Sequence, residues 1–212
     1  GARRFPVWKT ESSLPKDDGV NKGEFRLFFA ILSRMARKVV IGVTGSIAAY
    51  KACELVRLLV KHGDDVHVVM TDHAKEFVTP LTFRTLSRNP VQNQMFTEPL
   101  DWKPEHIGLA ESADLVLIAP ATANILAKMA HGLADDLLSS VALATRAPIL
   151  VAPAMNTGMW LNPATQANLM VLRERGVRIV QPGDGDLACG TGGVGRMAEP
   201  HEIFAEIGRA HV

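Results

Sequence analysis

The chain has 212 residues, 47% hydrophobic and 21% charged, with a net charge of +1; this allows one domain with a sizeable core and an ordinary globular balance. Residues 1–34 carry seven Lys/Arg against four Asp/Glu, and the remainder sixteen against eighteen, so no basic face points to nucleic acid. Two cysteines exclude a disulfide framework, nothing reads as a secretory signal, and no apolar run reaches the ~20 residues of a membrane span; the expectation is a reducing, cytoplasmic setting.

Residues 1–34 lack a clear amphipathic period until "FRLFFAIL" and contain no methionine, whereas Met35 directly precedes "ARKVVIGVTGS". They are expected to be a poorly structured N-terminal extension to a domain at 35–212. A transit peptide is the rival reading, disfavoured by the acidic residues; "FRLFFAIL" is left as a short helix against the body or a neighbouring subunit. From Lys38 onward, apolar β-branched runs predict strands at 38–44, 65–71, 113–122 and 147–155, with a weaker one at 177–182. The first helix is expected to be N-capped by Ser46 and to end at Gly63, with Ala48, Ala52, Leu55 and Leu59 on one face. Further helices are expected near 79–88, 105–112, 122–131, 135–145, 163–175 and 200–209. Strands apolar on both faces and alternating with helices predict an α/β fold: a three-layer αβα arrangement around a parallel sheet, Rossmann-like or flavodoxin-like.

In such sheets ligands bind beyond the C-terminal strand ends, where four unusual segments fall: "GVTGSIAAYK", "MTDHA", "APATAN" and "APAMNTGMW". Gly45 and Ser46 form a strand-to-helix turn suited to a phosphate, or simply a capped tight turn. Thr122 and Asn124 present a hydroxyl and an amide to a heterocycle, or Thr122 merely caps a helix. Asp135, Asp136, Ser139 and Ser140 read as helix capping. Asn156 follows Pro153, with Met155, Met159 and Trp160 as an apolar wall; its amide suits a carboxylate, the plainer reading being a polar turn over core methionines. His106 alone carries little weight. There is no metal-ligand spacing, G-x-G-x-x-G, Walker A or G-x-S-x-G element. Cys189 lies among glycines in "LACGTGGVGRM", while Cys53 falls within an amphipathic helix and reads as a small buried hydrophobe.

In order along the chain, "GSIAAYK", "HIGLAESADLVLIAPATAN", "GLADDLLSS", "PAMNTGMW" and "ACGTGGVGRM" resemble the homo-oligomeric flavin-containing cysteine decarboxylases, from about Lys38 to Pro200. The resemblance implies FMN as cofactor, with Gly45, Ser46 and Thr71 on its phosphate side, Thr122, Ala123 and Asn124 at the flavin, and Ala154 beside it. It places the catalytic histidine on His106, the carboxylate-binding asparagine on Asn156 and the cysteine of a mobile substrate clamp on Cys189. Further substrate contacts fall on Met159, Ala188, Arg196 and Met197. Thr191 departs from the acidic residue common in the family after "ACG".

The implied reaction is redox-neutral decarboxylation of 4′-phosphopantothenoylcysteine to 4′-phosphopantetheine in coenzyme A biosynthesis. Oxidation of the thiol carbon to a thioaldehyde permits loss of carbon dioxide, and the enethiolate is then protonated and reduced, with Cys189 as proton donor. Relatives acting on the C-terminal cysteine of lantibiotic-type peptides, flavin prenyltransferases and non-catalytic flavoproteins are the competing readings. The resemblance also implies a homotrimer, or a dodecamer of trimers, and possible fusion to a phosphopantothenate–cysteine ligase.

Overall fold

The computed structural model describes residues 36–95, 104–186 and 192–209. The expected N-terminal extension, including "FRLFFAIL", lies outside them. Six strands, β1 (Lys38–Val43), β2 (Asp65–Met70), β3 (Val91–Gln92), β4 (Leu115–Ala121), β5 (Ile149–Pro153) and β6 (Arg178–Ile179), form one sheet in the order β3-β2-β1-β4-β5-β6. Every pairing is parallel. The intervening helices are α1 (Ala49–His62), α2 (Pro80–Ser87), α3 (Glu105–Ser112), α4 (Ala123–His131), α5 (Leu137–Ala144), α6 (Thr157–Leu161), α7 (Pro163–Glu174) and α8 (Pro200–Arg209), with a 3-10 turn at Asp72–Glu76.

Alternation along the strands explains the three layers. Val39, Ile41 and Val43 of β1 join Leu55 and Leu59 of α1 and Ile203 of α8 in one core. Val40 of β1, with Val116 and Ile118 of β4, faces the opposite way toward Leu126 of α4, Leu138 of α5 and Leu169 of α7. A sheet buried on both faces needs strands without polar positions, and β4 is buried at all seven residues. The fold is the expected parallel α/β sandwich.

The element bounds differ from expectation where backbone bonding overrides pattern. Ser46 does not cap α1, which begins at Ala49 with no capping side chain. Ser46 instead opens a tight turn: its carbonyl accepts the Ala49 N–H at 2.9 Å, and its Oγ accepts the Ala48 N–H at 3.3 Å. Gly63 does end the helix, in the left-handed region. The strand expected at 177–182 is paired only at Arg178 and Ile179, at the sheet edge. The chain then enters an antiparallel hairpin of β7 (Gly183–Asp186) and β8 (Gly192–Arg196), whose glycine-rich strands carry no propensity signal.

The start of α5 is fixed by charge. Asp136 caps it reciprocally with Ser139: Asp136 Oδ1 accepts the Ser139 N–H at 2.7 Å, and Ser139 Oγ accepts the Asp136 N–H at 3.1 Å. Lys128 of α4 reaches both Asp135 and Asp136, at 2.6 and 2.7 Å. Burial pushes the Asp136 carboxyl up, but the bonds from Lys128 and Ser139 outweigh it and hold the group below its ordinary value. Its stabilising effect is therefore complete above the unfolded pKa of ~3.9 and is lost as pH falls through the lower folded-state value. Asp136→Ala is expected to lower unfolding free energy by about 1–2 kcal/mol at pH 7, with the gap from the parent narrowing below pH ~3.5 in urea titrations.

Candidate active site

The strand order reverses between β1 and β4, so the crevice of this sheet opens at their C-terminal ends. The β1–β4 ladder stops at Gly42 and Ile118. Beyond it the Thr44 hydroxyl takes over: Oγ1 donates to the Pro120 carbonyl at 2.7 Å and accepts the Thr122 N–H at 3.1 Å. The Ala119–Pro120 peptide is cis. One step further across the sheet, the Ala154 N–H donates to the Ala121 carbonyl at 3.0 Å. These bonds bring Gly45 and Ser46, then Thr122, Ala123 and Asn124, then Ala154 to Asn156, into one row along the crevice.

Gly45 is a point of close approach, because a Cβ there would run into the Cβ of His73. Thr71 follows β2 beside this turn, with its N–H on the Val43 carbonyl at 3.1 Å. A cleft of about 390 Å³ opens from there, lined by Thr71, Asn93, Asp136 and Leu138 among others. Of its three aspartates, Asp72, Asp135 and Asp136, the last two are ion-paired to Lys128.

Asn156 caps α6, its Oδ1 accepting the Gly158 N–H at 2.8 Å. Met159 follows on the same short helix and is 49% exposed, while Trp160 is buried. The hairpin docks on this segment. The Met155 N–H donates to the Gly195 carbonyl at 3.0 Å, and a Cβ at Gly193 would lie 2.7 Å from the Thr157 hydroxyl. Thr157 Oγ1 is itself buried without a hydrogen-bond partner.

His106 lies in the first turn of α3. A crossover helix runs antiparallel to the strands of a parallel sheet, so this turn lies toward the C-terminal edge, as the site does. Its Nδ1 is buried and unpartnered, and no hydrogen bond among the described residues joins it to Asn156 or to the loops. Arg196 is at the end of β8, ion-paired to Glu199 at 2.8 Å. Met197, expected as a substrate contact, has its side chain in the core, 1% exposed. Ala188, Cys189 and Thr191 lie outside the described residues. Cys53 is half-buried against the core, and burial pushes its thiol up, as suits a packing residue. No group of three His, Cys, Asp or Glu among the described residues is arranged to hold a metal.

Sequence reasoning passed over Thr44, Lys51 and Glu199. Lys51 had a usable signal: it falls on the apolar stripe of α1, between Ala48 and Leu55, and is 6% exposed. Thr44 had a weaker one, a single hydroxyl closing an otherwise apolar strand.

Comparison with known proteins places this site in a class. The profile of the flavoprotein family matches residues 32–211, and the chain belongs to that family. It is 49% identical over 173 residues to the coenzyme A biosynthesis bifunctional protein CoaBC of Vibrio cholerae, covering 82% of this chain and 43% of that protein. The chain thus spans less than half the length of that relative. It is 47% identical over 175 residues to the probable phosphopantothenoylcysteine decarboxylase of Streptococcus mutans, covering 82% of this chain and 98% of the relative. Among solved structures, a PPC decarboxylase cysteine-to-serine mutant complexed with pantothenoylaminoethenethiol matches with a TM-score of 0.74 at 33% identity, over 82% of this chain and 98% of that one. The FMN binding protein AtHal3 matches with a TM-score of 0.71 at 34% identity, over 82% and 96%.

Docking of the hairpin depends on Gly195. Its φ is 140°, and a Cβ there would strike the Met155 carbonyl oxygen, a backbone atom that cannot yield alone. Gly185, at φ 152°, faces only the flexible Arg196 side chain. Gly195→Ala is expected to lower unfolding free energy by about 2–3 kcal/mol and Gly185→Ala by about 1 kcal/mol, measured by urea denaturation. Equal losses would show that the contact with Met155 is unimportant.

Proposed function

We propose that this chain is the FMN-dependent unit that decarboxylates 4′-phosphopantothenoylcysteine to 4′-phosphopantetheine in coenzyme A biosynthesis. The carrying observation is the convergence of three loops at the switch point, with residues that suit a flavin mononucleotide. The turn at Gly45 and Ser46 leads into a helix that no side chain caps, which favours a phosphate. Thr71 opens the adjacent cleft, and Thr122, Ala123 and Asn124 offer small and polar groups to a planar ring. The buried, unpartnered Nδ1 of His106 is the kind of group that a bound polar ligand satisfies.

When bound, the flavin supplies reversible two-electron oxidation of the thiol-bearing carbon, which gives the electrons of the departing carboxylate a place to go. The protein's residues do the rest. Asn156, its amide oxygen held by Gly158, supplies the amide that orients the substrate carboxylate. The exposed Met159 borders it and limits water there. His106 takes up and returns the proton at the reacting thiol, a role suited to imidazole near neutral pH. Cys189 falls in sequence between β7 and β8, and its thiol delivers the proton that completes the product.

The similarity to a bifunctional protein over less than half its length supports a partnership with the cysteine ligase, fused or separate. Assembly as a trimer, or a dodecamer of trimers, belongs to the same proposal, as does a cytoplasmic setting. Among the described residues no helix is long and apolar enough to cross a membrane.

Purified protein is expected to show a flavin visible spectrum and to release carbon dioxide from 4′-phosphopantothenoylcysteine. Cys189→Ser should still release it but accumulate the enethiol in place of reduced product; His106→Asn should release none. A flavin-bearing protein that decarboxylates only cysteine-terminated peptides would move it to the peptide-maturing branch. One inactive on both substrates fits a regulatory binder, and a colourless protein contradicts the proposal outright.

A further inference from the structure

We infer that Lys51 and Glu199 form a clasp that positions the β7–β8 hairpin over Asn156, making both of them positioning residues for substrate capture. The inference rests on the decarboxylase reading of the site. Lys51 Nζ donates to the Met197 carbonyl at 3.2 Å and to Glu199 Oε1 at 2.8 Å. Its side chain is 7% exposed. A buried ammonium is costly, and an apolar residue on the same stripe of α1 would pack at no such cost. Stability alone therefore does not explain a lysine there; its partners do.

Those partners form the root of the hairpin. The same Glu199 Oε1 also takes the Arg196 guanidinium at 2.8 Å. Glu199 is held in place by the head of α8: its N–H donates to Glu202 Oε2 at 2.8 Å, and its carbonyl accepts the N–H groups of Glu202 and Ile203. Between Arg196 and Glu199, the side chains of Met197 and Ala198 are buried. The hydrogen bond from Lys51, with the charges of Lys51 and Arg196, outweighs the opposing effect of burial and leaves the Glu199 carboxyl below its ordinary value, so this carboxylate stays ionised through neutral pH.

From this root β8 runs directly across the Asn156 segment, touching it at Gly195 and Gly193. The Met155–Gly195 bond holds β8 at one point of this crossing, and the root held by Lys51 supplies another. Pinning its root to α1, the helix that begins at the proposed phosphate turn, fixes how β8 lies against the Asn156 segment. Loosening the root would lower the fraction of molecules with a competent clamp and raise apparent KM in proportion.

The test uses FMN-loaded protein with Lys51→Met and, separately, the isosteric Glu199→Gln. Three quantities are compared with the parent: the visible flavin spectrum, amide hydrogen exchange in β8 against β1 and β4, and KM and kcat for 4′-phosphopantothenoylcysteine. The flavin spectrum is expected to be unchanged, β8 exchange to accelerate about tenfold with β1 and β4 unaffected, and KM to rise roughly tenfold with kcat within about threefold of the parent. Parental β8 exchange and parental KM in both variants would overturn the clasp. Equal acceleration in β1 and β4 would also overturn it, since that marks a purely structural role. If the parent does not turn over the substrate, the decarboxylase reading fails, while the exchange contrast still decides whether the root is held by this pair.

Discussion

The site depends on one hydroxyl. At the ends of β1 and β4 the backbone ladder stops, because β4 passes through Pro120 and its register against β5 shifts between Ile118 and Ala121. Two parallel strands that lose their ladder diverge unless something else satisfies the exposed carbonyl and N–H. Thr44, 2% exposed, does both, donating to Pro120 and accepting from Thr122. The turn at Gly45 and Ser46 and the loop at Thr122–Asn124 are then at a fixed separation. The bond from Ala154 to Ala121 extends that frame to the asparagine segment.

On this frame the chemistry divides by rigidity. The groups proposed to hold the cofactor lie directly after strands and inherit their order. The groups proposed for the substrate lie one step out, on a short helix and a hairpin that are joined by a few contacts. Asn156 belongs to both sets: it follows β5 by three residues, and the hairpin crosses its neighbours. Lys51 and Glu199 link the sets, since α1 follows the turn at Gly45 and Ser46 and packs in the core that also receives Ile203 of α8. A reaction that needs a fixed ring and a clamp that closes on a substrate is served by that division.

Much of this was legible in the sequence. The strands β1, β2, β4 and β5 declare themselves because a sheet covered on both faces excludes polar residues, and the helices between them because each has a single apolar face. Gly45, Thr122 and Asn156 were legible because polar or small residues abruptly follow apolar runs. The hairpin was not, since "GDGD" and "GGVGR" have little strand propensity, and the need for glycine at Gly195 shows only in the close approach of the Met155 and Asn156 backbone. Ser46 misled as a helix cap, because an N-cap and a tight turn use the same residue types. Long-range roles, such as Thr44 to Pro120 across 76 residues or Lys51 to Glu199 across 148, leave little local signature beyond a polar residue in an apolar pattern.

The most direct measurement is FMN affinity of Thr44→Val beside Thr44→Ser, by flavin fluorescence titration into protein freed of cofactor. Valine keeps the shape and removes both bonds, leaving the Pro120 carbonyl and the Thr122 N–H without their partner, at a cost of about 1–3 kcal/mol for each buried group. The account predicts at least a tenfold loss of affinity in Thr44→Val with the secondary structure retained, and near-parental binding in Thr44→Ser. Parental FMN affinity in Thr44→Val would contradict it, because the two loops would then hold their places without the hydroxyl between them.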